Sequence, residues 1–232
     1  IVNANFTAQI QGNSVTRAVA DNDGFGKNIT RCILELYYGD ELYVRKVAEA
    51  SDITAPDGNG GNGTVKFNNI QLVSNRTYNV LCWADAGEEY YKADALTSVE
   101  MKAVAYTAND DKRDAFFYSG TQEVAQQGET YNITLTRPFA QVNVITTDAS
   151  VIKFSSLYPE NVKMVYTAPT KFNLLSKELG EEKELTVTGT PYALFNASSA
   201  ELTLGMDYLF AGTDKSALDI KFEASNTGET TV

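Results

Sequence analysis

Cys32 and Cys82 are the two thiols of this chain. Each sits in a strand-like run, Thr30-Arg31-Cys32-Ile33-Leu34 and Val80-Leu81-Cys82-Trp83. Buried free thiols and an inter-strand disulfide both fit that placement. Two cysteines are too few for a four-cysteine metal site. The chain has no histidine, which excludes Ser-His-Asp and Cys-His catalysis and His-containing zinc sites. Paired carboxylates at Glu88-Glu89, Asp110-Asp111 and Glu181-Glu182 have the residue types of glycosidases and calcium sites. None has calcium-loop spacing, and they read as solvated loop charge. Gly58 to Gly63 lacks the Lys-Ser/Thr and following helix of a phosphate loop. The thirteen tyrosines could build a sugar-binding platform, but tyrosine also suits a pleated, half-buried sheet face. No catalytic site, metal or cofactor is expected.

The bond most open to chemistry by another protein is Arg17-Ala18. Before it, Phe6, Ala8 and Ile10 alternate with Thr7, Gln9 and Gln11, the period of a half-buried strand that Val15 extends. After it comes the polar stretch Asp21-Asn22-Asp23-Gly24-Phe25-Gly26. An arginine beside such a segment is where a trypsin-like protease reaches the backbone. Removing an apolar strand from a sandwich leaves unpaired backbone groups and an empty groove that another chain can fill. That points to a subunit built to polymerise. The plain alternative is an ordinary first strand followed by an ordinary loop.

The elements that must position these residues read as all-β. At 232 residues the chain is long enough for one large domain or two small ones. Its net charge of -11, without a basic stripe, makes nucleic acid and anionic membrane poor partners. No run approaches a transmembrane helix, and no basic-then-apolar signal peptide begins the chain. Ile29 to Tyr38 is a strong strand with Cys32, Leu34, Leu36 and Tyr38 on one face, turning through Gly39-Asp40 into Leu42 to Val47. Thr64 to Leu72 and Thr77 to Ala84 read as a second hairpin across Ser74-Asn75-Arg76. Ala93 to Lys102 could be a short helix, weakened by Thr97, Ser98 and Val99. Thr130 to Thr136 is a strand that Arg137-Pro138 breaks, and a new alternation starts at Phe139. A boundary there divides the chain into two sandwich-sized parts, 1–137 and 138–232.

Several phrases resemble the fimbrillin family, the fimbrial subunits and fimbrillin-like lipoproteins of outer-membrane-bearing gut and oral bacteria. The first part carries Val80-Leu81-Cys82-Trp83-Ala84-Asp85, Tyr90-Tyr91 and Arg113-Asp114-Ala115-Phe116-Phe117. The junction reads Leu135-Thr136-Arg137-Pro138-Phe139-Ala140-Gln141-Val142. The second part carries Val165-Tyr166-Thr167-Ala168-Pro169-Thr170-Lys171-Phe172-Asn173-Leu174-Leu175 and Met206-Asp207-Tyr208-Leu209-Phe210. The phrases fall in the family's order over nearly the whole chain.

The resemblance implies two tandem transthyretin-like β-sandwich domains, no enzymatic activity, and a place on the cell surface in a fimbrium. It implies export as an outer-membrane lipoprotein precursor whose lipid-bearing cysteine precedes the residues here. An arginine-specific surface protease would cut at Arg17-Ala18, and the strand carrying Phe6, Ala8, Ile10 and Val15 would leave. Another fimbrial subunit would then fill the groove by donor-strand exchange; a host or bacterial receptor is a further expected partner. The alternative is a surface lipoprotein that binds a glycan or host ligand and never polymerises. One departure stands out. The family usually closes with a Val-Pro phrase, an Asn/Arg/Thr-rich strand and a Leu-rich segment, whereas this sequence stops after Asn226-Thr227-Gly228-Glu229-Thr230-Thr231-Val232. Truncation and a different ending both fit, which leaves stalk, anchor and tip positions open.

Overall fold

Alternation at the N-terminus becomes a strand in which Ala4, Phe6, Ala8 and Ile10 turn inward and Asn3, Asn5, Thr7 and Gln9 outward. The computed structural model describes residues 1–11, 26–56, 61–102, 105–148, 151, 158–191, 202–211 and 217–226. Strands in the first stretch are β1 (Val2–Ile10), β2 (Arg31–Tyr38), β3 (Glu41–Val47), β4 (Ile53–Thr54), β5 (Gly63–Leu72) and β6 (Arg76–Asp85). Three short strands follow, β7 (Tyr91–Lys92), β8 (Val99–Met101) and β9 (Ala105–Thr107). Longer ones resume with β10 (Phe116–Val124), β11 (Thr130–Leu135) and β12 (Phe139–Thr146). The last four are β13 (Asn161–Asn173), β14 (Glu178–Gly189), β15 (Leu202–Phe210) and β16 (Lys221–Ser225). The chain is an all-β protein of sandwich type.

The first sandwich packs the sheet β11-β1-β5-β4 against β10-β6-β2-β3. In the second, β13 pairs with β14, β16 and β8, β14 pairs with β9, and the two-stranded sheet β12-β15 packs across them. β7, β8 and β9 precede residue 137 in the chain yet belong to the sheet built by β13 and β14.

The sheet β10-β6-β2-β3 lies between two cores, and its strands β2 and β6 are apolar on both faces. Cys32, Leu34, Leu36, Val80, Cys82 and Ala84 enter the first core. Ile33, Tyr37, Leu81 and Trp83 enter a second core with Met164, Tyr166, Phe172, Leu185 and Phe210. Such near-continuous apolar runs mark strands covered on both sides. The ring of Trp83 lies 5.3 Å from that of Tyr91 and 6.4 Å from that of Phe139, both near edge-on.

Two expectations are corrected. β5 and β6 form no hairpin: β5 pairs with β1 and β4, and β6 with β10 and β2, so the turn carries the chain from one sheet to the facing one. Local chemistry directs that crossing. Asn75 takes a left-handed φ of 56° and donates to the Val124 carbonyl on β10 at 2.7 Å, and the Val73 N–H donates to the Tyr78 hydroxyl at 3.0 Å. Ala93 to Lys102 forms no regular helix beyond one tight 3-10 turn at Leu96–Ser98, because Val99 is already extended and continues into β8.

Candidate functional site: a groove filled by the first strand

β1 lies in the middle of its sheet. It runs parallel to β11, with Asn5 opposite Thr130 and Ile10 opposite Leu135. It runs antiparallel to β5, with Val2 opposite Leu72 and Ile10 opposite Gly63. Taking it out would therefore strip hydrogen-bond partners from two strands rather than one. Ala4, Phe6, Ala8 and Ile10 have no exposed surface. Burial of Phe6 and Ile10 stabilises by about 1.5–3 kcal/mol each. The Phe6 ring sits 5.4 Å from that of Tyr131 on β11. The structure places Phe6, Ala8 and Ile10 together on the buried face of β1, whereas Val15, Arg17 and Ala18 lie outside the described residues.

Polar contacts hold the start of β1. The Asn3 N–H donates to Gln127 Oε1 at 2.9 Å, its carbonyl accepts from the Gly128 N–H at 2.7 Å, and the Asn5 N–H donates to the Glu129 carbonyl at 2.8 Å. At the far end, Gly26 has a φ of 71°, and a Cβ there would meet the Phe116 ring at 2.7 Å and Ile10 at 3.3 Å. Only glycine fits where the chain re-enters beside the tip of β1.

Cys32 and Cys82 face each other beneath this sheet, fully buried as free thiols with their sulfurs 3.5 Å apart. Burial pushes the Cys32 thiol up, and its hydrogen bond with Cys82 adds to the shift.

Four buried carboxylates, which patterning did not flag, are each paired with an arginine. Arg31 forks onto Asp85 at 2.8 and 2.5 Å and donates to the Tyr91 carbonyl at 2.9 Å, while Trp83 Nε1 donates to the same carboxylate at 2.7 Å. Burial pushes the Asp85 carboxyl up against the pull of Arg31. Arg45 pairs with buried Glu35, which also accepts from the Tyr37 hydroxyl at 2.8 Å and the Leu96 N–H at 2.9 Å. Burial, then Glu35, pushes the Tyr37 phenol up to about 12. Asp207 accepts from the Tyr106 and Tyr166 hydroxyls and lies 4.0 Å from Arg113, whose guanidinium stacks 3.6 Å from the centre of the Tyr106 ring. Burial raises Asp207 and both phenols. Arg137 forks onto Asp114 with two bonds of 2.7 Å. The signal for the Glu35 pair was present in Ile33-Leu34-Glu35-Leu36-Tyr37, where apolar residues on both faces flank a carboxylate. Such a carboxylate is tolerated only when paired.

Tyrosine also reaches the surface. Tyr38 is 46% and Tyr43 41% exposed, their rings 5.9 and 5.4 Å from buried Tyr78, with the Arg76 guanidinium 4.5 Å over Tyr38. A separate shallow hollow of about 520 Å³ is lined by polar residues including Asn161, Lys163, Thr188 and Glu223. Among the described residues no group of three or more His, Cys, Asp or Glu side chains could hold a metal ion. None of the described helices is long and apolar enough to cross a membrane.

The fold is that of a sandwich-type all-β protein in which β1 is a central strand of its sheet. The chain belongs to a family of unknown function, DUF6562, which matches it over residues 1–232. No curated protein matches it. Solved structures share its fold. Candidate polysaccharide-binding proteins (DUF1812) from Bacteroides thetaiotaomicron align with 98% of this chain and 77% of theirs, at 10% identity and a TM-score of 0.60. A candidate adhesin from Bacteroides ovatus aligns with 98% of this chain and 73% of its own, at 11% identity and a TM-score of 0.60. A second candidate adhesin from that species covers 99% and 81%, at 8% identity and a TM-score of 0.52.

Proposed function

We propose that this protein is a non-enzymatic subunit of a surface fimbrium, exported as an outer-membrane lipoprotein and assembled by replacement of its own first strand. The observation that carries the reading is the position of β1, paired on both sides and filling the groove with four wholly buried side chains. Arg17 lies seven residues beyond the end of β1, where an arginine-specific protease would free the strand. A donor strand from another subunit would then restore both ladders and refill the alternating pockets. The adhesin names of two fold relatives and the fimbrillin-like phrases agree with a surface role. The test is trypsin treatment followed by incubation with a synthetic peptide of residues 1–11 and with a complete homologous subunit. Capture of the labelled peptide and SDS-resistant multimers are expected. Loss of the strand with no capture of either would overturn the reading.

A second reading rests on Tyr38 and Tyr43. Their half-exposed rings, with Arg76, Asp40 and Glu41 nearby in sequence or space, offer apolar faces and hydrogen-bonding groups of the kind that hold a sugar. In this reading the protein is a surface lipoprotein that binds glycan without polymerising. Glycan-array binding lost in a Tyr38→Ala/Tyr43→Ala variant, with no multimers after cleavage, would favour it over the fimbrial one.

A further inference from the structure

Cys32 and Cys82 lie on neighbouring strands, β2 and β6, but not directly opposite. Cys32 faces Ala84 and Leu34 faces Cys82, so the two cysteines are diagonal neighbours on one face of the sheet. Their sulfurs are 3.5 Å apart, and neither residue has any exposed surface. A covalent bond would draw the sulfurs together by about 1.5 Å, and because diagonal neighbours start with Cα atoms about 7–8 Å apart, β2 and β6 must also close up slightly as the bond forms. The surroundings offer the pair no other employment. Leu34, Leu36, Val80, Ala84 and Phe6 belong to the same apolar cluster, and no metal-binding group exists among the described residues.

We propose that Cys32 and Cys82 close into a disulfide as the chain folds, cross-linking the sheet that faces β1. The oxidant is an external disulfide, either of glutathione class or that of a thiol oxidase. One cysteine, as thiolate, attacks a sulfur of that disulfide and releases one reduced thiol, leaving a mixed disulfide on the chain. The other thiolate attacks the chain's own sulfur in it, forms the Cys32–Cys82 bond and releases the second thiol. Two protons and two electrons leave the chain, and the oxidant ends as two thiols. Burial fixes the timing. A thiol that no solvent reaches, with its ionisation suppressed by the apolar core, cannot meet a disulfide in the folded state. The bond must therefore form before the two sheets close over it. Once made, it spans 50 positions of sequence and ties β2 to β6 whether or not β1 is in place. The inference stands on the sulfur geometry alone and does not depend on β1 being replaceable.

The test is refolding of the whole chain from guanidinium in a mixture of oxidised and reduced glutathione. The folded product is then denatured in excess N-ethylmaleimide and its intact mass measured. The expected product carries no maleimide and lacks two hydrogens, and reducing it lowers the melting temperature by about 10 °C. The same glutathione mixture added to the already folded, reduced protein should act at least about tenfold more slowly, because the thiols are covered. Two maleimide adducts on the refolded protein would overturn the proposal. So would a cross-linked chain that melts below the reduced one.

Discussion

Asn5 Oδ1 accepts a hydrogen bond of 3.0 Å from the backbone N–H of Asn69, a residue with a left-handed φ of 55°. The pairing register of β1 and β5 shifts at this point, between Ala4 and Phe6, so Asn5 supports a bulge in its neighbour. The side chain of β1 thus satisfies a backbone group that β5 cannot satisfy itself. Asn5→Ala should cost about 1 kcal/mol, the usual loss for one such bond. Urea denaturation measures it, and a variant as stable as the parent would show that β5 holds its bulge alone.

Phe6 and Ile10 are the largest of the side chains that β1 buries. Phe6→Ala should destabilise by about 3–5 kcal/mol and Ile10→Ala by about 2–5 kcal/mol. Denaturant midpoints with unchanged slopes are the expected readout. Near-neutral effects would mean that the pockets collapse without the strand and hold nothing open for a donor.

Limited trypsin digestion should cut first at Arg17-Ala18. Arg31 begins a paired strand, and its guanidinium is locked on Asp85, so its bond should resist until the domain opens. N-terminal sequencing decides the order. Arg17→Ala should leave the protein folded and remove the early cut, whereas an early cut after Arg31 would remove the reason for naming Arg17.

Asp114 gives stability a pH dependence of definite sign. Burial pushes its carboxyl from 3.8 up to about 7, although Arg137 pulls the other way. A carboxyl with a raised folded pKa binds its proton more tightly in the folded state. Its contribution is therefore fully present below about pH 4 and lost as pH rises through 7. Asp114→Asn, which cannot ionise, should show a flatter melting-temperature profile between pH 4 and 7. A parallel profile in the variant would assign the slope to other groups.

The shared second core predicts cooperative melting. Trp83 and Ile33 from the first sandwich pack with Phe210 and Met164 from the second, and β7, β8 and β9 cross to the later sheet. Calorimetry should give one transition, and a fragment ending at residue 137 should fail to fold because β8 and β9 would lose their partners. Two separate transitions, or a stable fragment, would show that the halves are independent.

The all-β class was legible in the sequence, because period-two alternation in runs such as Phe6 to Ile10 dictates which side chains share a face whatever else the chain does. Alternation also put Cys32, Leu34, Leu36 and Tyr38 on one face, a reading that needs only one covered face; the first three are buried, and Tyr38 at the strand's end is exposed. What it could not tell was that the opposite face of the same strand is covered too. Ile33, Glu35 and Tyr37 look like a mixed solvent face until the second core lies against them, and the partners of Glu35, Asp85 and Asp207 come from up to 101 positions away. Pairing choice was equally hidden. Two adjacent runs joined by Ser74-Asn75-Arg76 suit a hairpin or a crossing between sheets, and long-range partners β1 and β10 decide between them. The central place of β1 belongs to this second kind of fact. A strand's sequence fixes its faces, but its ladders are completed by distant segments, here Gly63–Leu72 and, more than a hundred residues away, Thr130–Leu135.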